Sequence, residues 1–252
     1  AWNPSTGEFK SGQIPADAGF EPWLMKFDGI SNNRDKELAD PQGYGRIEYA
    51  YYLMALQAGI AMAPSRLHHE GGRSHFMTRR FDRTAEGRKL HMQSLCAIAH
   101  YDYNDPGAYS YEQAIQVMRQ LGLSTPEVEQ QFLRCVFNVV ARNQDDHVKN
   151  IAFLMNKRGQ WSLSPAFDVT YAWQPDGAWT SRHQMSVNGK RDKFVRDDLI
   201  ALAHTAGIKR GRASDAITRV ISTVKQWREF AAQSGLSIDM AERISKAHRL
   251  DI

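Results

Sequence analysis

Short apolar runs bounded by turn residues alternate with longer stretches of helical period. Trp23-Leu24-Met25-Lys26-Phe27 lies between Pro22 and Asp28-Gly29, and its length and flanks predict a strand. Residues 3–20, rich in Gly, Pro, Ser and Asp, read as turn and loop, and so does the polar stretch from Asp28 to Gly45. Ile47, Ala50, Tyr51, Met54 and Ala58 recur at three and four, which predicts a helix stopped at Gly59. His75–Phe81 reads as a strand, followed by a turn at Glu86-Gly87, and Tyr111, Ala114, Val117 and Met118 share one face of a helix beginning near Ser110.

Ser124-Thr125-Pro126-Glu127 is a strong helix start, with a hydroxyl cap and Pro in the first turn. The helix that follows carries Phe132, Leu133, Cys135, Val136, Phe137, Val139 and Val140. It is apolar nearly all round, which implies burial. It runs straight into a polar octet, Asn143-Gln144-Asp145-Asp146-His147-Val148-Lys149-Asn150. A hairpin is expected next, with strands at 151–155 and 161–163 around Lys157-Arg158-Gly159-Gln160. Ser164-Pro165-Ala166-Phe167-Asp168 closes that unit. Asn188-Gly189 signals a further turn, and two or three amphipathic helices are expected from Arg196 onward. Strands early, helices late and a hairpin between them predict an α+β fold: a small mixed sheet lobe over 1–83 and a large, mainly helical lobe over 84–252.

Composition narrows the class. Of 252 residues, 42% are hydrophobic and 24% charged, which excludes a disordered chain or a fibre. No run approaches the roughly 20 apolar residues of a membrane span, and no secretory signal is visible. Cys96 and Cys135 sit among apolar neighbours and read as free core thiols of a reducing, cytoplasmic compartment. The net charge of +4 permits nucleic-acid contact without arguing for it.

The octet carries the chemistry. Phosphoryl transfer needs a carboxylate to accept the nucleophile's proton, an amide oxygen and a second carboxylate on Mg²⁺, and a cation on the phosphates. Asp145 and Asn150 stand with four residues between them, the spacing of a kinase catalytic loop, and Asp168 follows a hairpin as the metal aspartate does. Lys26 on an early strand and Glu48 on the next helix keep the order of the kinase lysine–glutamate pair. An isolated Asp-Asp would read as a solvated turn; this spacing makes it a site. A metal-dependent hydrolase built on Asp145, Asp146, His147 and Asp168 would call for more histidine and carboxylate ligands.

The octet with Ser164–Asp168 resembles the signature of the HipA-like serine/threonine kinases. Trp23–Phe27, Ile47-Glu48-Tyr49-Ala50, Arg80-Phe81-Asp82-Arg83 and Asn188-Gly189-Lys190-Arg191 support it. The resemblance implies a bilobal kinase fold, Mg²⁺ and ATP as cofactors, and a protein serine or threonine as acceptor. It implies the toxin of a toxin–antitoxin pair, restrained by a DNA-binding antitoxin, with contact to DNA weak or indirect and no membrane partner. Targets in the family include aminoacyl-tRNA synthetases, whose inhibition halts growth. By the same resemblance Asp145 is the catalytic base, Asn150 and Asp168 hold the metal, and Lys26, paired with Glu48, contacts the ATP phosphates. Backbone near Arg79, Arg80 and Phe81 meets the adenine, while His147 and Lys149 shape the loop and touch phosphate. The family's Gly- and Ser-containing phosphate loop precedes the position of Ala1-Trp2, so a natural chain longer at its N-terminus is expected. Without that loop the alternative is a catalytically inactive kinase-fold module that binds an antitoxin and DNA.

Three readings stay outside the site. His68-His69-Glu70 reads as a surface loop rather than a metal site. Lys190-Arg191, Lys193, Arg196 and Lys209-Arg210-Gly211-Arg212 read as solvated edges that could meet phosphate or DNA. Trp227 and Phe230 read as core.

Overall fold

The computed structural model describes residues 1–13, 17–29, 43–84 and 87–252. The expected loop over Asp28–Gly45 and the Glu86 half of its turn therefore lie largely outside the described residues. Among those described are two three-stranded sheets and eight helices, the α+β composition that the pattern predicts.

The first sheet has the order β1-β3-β2, antiparallel throughout, from β1 (Trp23–Lys26), β2 (Ser65–Glu70) and β3 (Arg73–Arg79). His68-His69-Glu70, expected as loop, is the end of β2. His68 pairs with His75 and packs edge-on against Phe9, so sheet register and ring contacts override its polar composition. Helix α1 (Tyr44–Ala58) lies against this sheet and ends at Gly59, φ 92°, whose left-handed backbone closes the helix onto Ala55 and Leu56 carbonyls. Gly45 in its first turn admits the sheet so closely that a Cβ there would stand 2.1 Å from the Ser74 carbonyl oxygen.

The second sheet has the order β4-β5-β6, from β4 (His91–Ser94), β5 (Ala152–Met155) and β6 (Trp161–Leu163). The short helix α2 (Leu95–Ala99) follows β4, and α3 (Tyr111–Gln120) starts at Ser110 with a capping box to Gln113. Helix α4 (Thr125–Val140) starts where expected, with Ser124 at its N-cap and Pro in its first turn, but the Ser124 hydroxyl donates to Glu127 Oε2 at 2.6 Å instead of capping a backbone N–H. Glu127 serves twice: it caps Ser124 and accepts the Leu163 N–H at 2.8 Å, tying α4 to β6. The C-terminal part has four helices rather than two or three: α5 (Arg196–Thr205), α6 (Arg210–Val224), α7 (Trp227–Gln233) and α8 (Ile238–Ala247). One apolar core runs from Ile47 to Ala247 and includes Trp227 and Phe230.

Between α1 and β2, residues 60–63 bring the first sheet to the closing segment of the hairpin. Ala166 N–H donates to the Ala61 carbonyl at 2.8 Å, and Met62 bridges to Ala166. Gln130 of α4 clamps the same linker, donating to Gly59 O and accepting from Ala61 N–H.

Candidate active site

Helix α4 ends at Ala141, and Arg142 takes a left-handed φ of 59°, which turns the chain out of the helix and into the octet. The loop is pinned on both flanks. Asn143 bridges to Ala172, while the Val148 and Ile151 carbonyls accept the N–H groups of Cys96 and Leu95 at the start of α2.

The two aspartates of the octet part company. The Asp145 side chain is 45% exposed and stands 3.8 Å from His147 Nε2. Asp146 is buried and accepts three hydrogen bonds, from Tyr111 Oη, His183 Nδ1 and Gln184 N–H, each at 2.8 Å. Burial alone would raise its pKa; the His183, Tyr111 and Gln184 donors outweigh burial and hold it below the usual aspartate value. Asp146 is thus a structural anion beside an accessible one.

Asn150 donates from Nδ2 to the Asp145 carbonyl at 2.9 Å, which leaves its Oδ1 as an acceptor. Asn150 and Asp168 line one pocket, with His147, Phe167 and Arg134 on its walls. Asp168 has a left-handed φ of 54°, a conformation that costs a non-glycine residue energy and collects at functional sites. Across from it, Lys26 Nζ lies 2.5 Å from Asp168 Oδ1 and 2.7 Å from Glu48 Oε1. Burial works to lower the pKa of Lys26, but the two carboxylates outweigh it and hold the ammonium well above the ordinary lysine value. One cation therefore joins β1, α1 and the end of the hairpin, bringing together residues 22 and 142 positions apart.

The other expected residues lie as follows. Lys149 is exposed, with Nζ 3.5 Å from the centre of the Tyr103 ring. Arg79 N–H donates to Pro64 O and Arg80 N–H to Pro22 O, so sheet contacts already use both. The Arg80 guanidinium grips Asp82, Arg79 approaches Glu21 at 3.6 Å, and the Phe81 ring packs 5.7 Å from Phe167. The Asn188-Gly189 turn forms as expected, with φ values of 49° and 74° between Val187 and Lys190. Its Lys190, and Arg196 and Arg212 nearby, contact Asp198, Ser214 and Glu129 respectively.

Sequence reasoning passed over Arg134, His183 and Arg249. Arg134 is buried on α4, donates from Nη2 to the Ser164 carbonyl at 2.7 Å, and so holds the head of the segment that carries Asp168. Burial lowers its pKa to about 10. An arginine in an otherwise apolar helix was the available signal. His183 and Arg249 had none, since their partners are distant in the chain.

A family profile described as HipA-like C-terminal domain matches residues 6–228. The chain belongs to the HipA-like C-terminal domain family. The HipA-like chain is 25% identical over 249 residues to Y4dM, a candidate kinase of Sinorhizobium fredii, covering 92% of this chain and 57% of that protein. Its fold matches a chain of the Shewanella oneidensis MR-1 toxin–antitoxin complex of HipA, HipB and operator DNA, with a TM-score of 0.62 and 15% identity. That match covers 94% of this chain and 63% of the other. It also matches the Helicobacter pylori proinflammatory kinase CtkA, with a TM-score of 0.53 and 13% identity, covering 90% and 92%. The HipA-like chain therefore has a kinase-type α+β fold and spans less than two thirds of the first two relatives.

Proposed function

We propose that this HipA-like domain is the catalytic part of an ATP-dependent protein kinase acting on serine or threonine. The observation that carries the reading is Lys26 Nζ, shared by Glu48 and Asp168 beside the Asp145–Asn150 loop. Asp145, its side chain partly exposed on a loop pinned at both flanks, accepts the proton of a substrate hydroxyl as that oxygen bonds to the γ-phosphorus and ADP leaves. Lys26 contacts the phosphates. The adenine lies against Phe81 and the backbone after Arg80, because the N–H groups of Arg79 and Arg80 are already engaged.

The donor set fits Mg²⁺. Asn150 Oδ1 and the Asp168 carboxylate are hard oxygens on one pocket, and such an ion takes only one or two protein carboxylates. Bound there, Mg²⁺ would neutralise phosphate charge.

The boundary between lobes falls near residues 83–84. The partner we favour is a DNA-binding antitoxin, by analogy with the HipA–HipB–operator complex, and the substrate a cytoplasmic protein such as an aminoacyl-tRNA synthetase, whose modification would arrest growth. The test is incubation of the full-length protein with Mg²⁺, γ-labelled ATP and cell extract, with Asp145→Asn in parallel. Label on phosphoserine or phosphothreonine that vanishes in the variant supports the proposal. Absence of label in both would move the reading to an inactive module that binds antitoxin and DNA.

A further inference from the structure

Arg249 lies beyond the residues that the family profile matches, just after α8, yet it reaches the octet. Its Nη1 donates to the Val139 carbonyl and to His183 Nε2, both at 3.0 Å; its Nη2 donates to Gln144 Oε1 at 3.0 Å and to Asp192. The Arg249 backbone N–H donates to the Val140 carbonyl at 2.9 Å. A guanidinium has no acceptor, so His183 Nε2 accepts and the ring proton sits on Nδ1, which donates to Asp146. One side chain thus holds Gln144 directly and Asp146 through a single imidazole, the two residues that flank Asp145. Arg142 also donates to Gln144 Oε1, and Asp192 offsets the two neighbouring cations. The planar fork is what lets one residue span these acceptors; a lysine ammonium is a point donor.

Building on the kinase reading, we propose that Arg249 is a positioning residue that fixes Asp145 for proton acceptance by bracketing it at Gln144 and Asp146. The device couples the C-terminal end of the described chain to the catalytic loop.

The test compares full-length wild type with Arg249→Met and Arg249→Lys by phosphoryl-transfer kinetics and hydrogen–deuterium exchange. In both variants kcat is expected to fall roughly tenfold or more while KM for ATP stays within about twofold, because Lys26 and Asp168 are untouched. Exchange in residues 143–150 is expected to rise about fivefold or more relative to α6. Unchanged exchange in 143–150, or equal loosening of α6, would overturn the proposal, as would full retention of kcat by Arg249→Lys. If wild type transfers no phosphate, the kinase reading fails, and the exchange ratio still decides whether Arg249 holds the loop.

Discussion

Asp145 and Asp146 are neighbours in the chain and opposites in environment: the Asp145 side chain is 45% exposed and that of Asp146 only 1%. The chain's exit from α4 turns one carboxylate to the open face and the other into a cage of donors. This division separates two experimental signatures that adjacent substitutions would otherwise blur.

Asp145→Asn removes the proposed base without disturbing packing. Phosphoryl transfer is expected to fall by about 10²–10⁴, with the melting temperature little changed. Parallel turnover assays and thermal melts check this.

Asp146→Asn gives the converse. Its NH₂ must face at least one of the donors from Tyr111, His183 and Gln184, leaving a buried donor unpaired. A loss of about 1–3 kcal/mol is expected, read as a lower midpoint in urea unfolding.

Gly45→Ala forces α1 away from β3, because the new methyl would collide with the Ser74 carbonyl. Backbone cannot yield as a side-chain tip can, so a cost of about 1–3 kcal/mol is expected. Glu48 rides on the same helix, so affinity for ATP should fall too, measured by nucleotide titration.

His248 supplies a pH signature. Burial first, and the nearby Arg142 charge second, depress its pKa from 6.5 to about 3. The fold prefers the neutral ring, which lies 3.1 Å from Tyr51 Oη. Its contribution is therefore complete above pH 6.5 and is lost as pH falls from there toward 3, at up to about 1.4 kcal/mol per pH unit. His248→Gln should flatten that part of the stability–pH curve, measured by denaturant unfolding at several pH values.

Local chemistry made much of this protein legible in its sequence. The Ser124–Glu127 helix start with Pro126, the apolar run of α4, the octet, the Gly159 hairpin turn and Asp168 are contiguous signals, each expressed within a few residues. Strand β2 escaped because its polar face is stabilised by pairing with β3, a partner that alternation within 65–70 does not reveal. The C-terminal helices were undercounted because the break between α6 and α7 occurs at Lys225-Gln226 without Gly or Pro.

By itself the sequence determined β1, α1, α4, the β5–β6 hairpin and the spacing from Asp145 to Asn150 and Asp168, because capping, turn formation and period are properties of neighbours. Only the tertiary structure decided which aspartate is buried, that Lys26 joins Glu48 to Asp168, and that Arg249 reaches Gln144 and His183. Those choices depend on burial and on donors 22 to 142 positions away, where folding, not sequence proximity, sets distance.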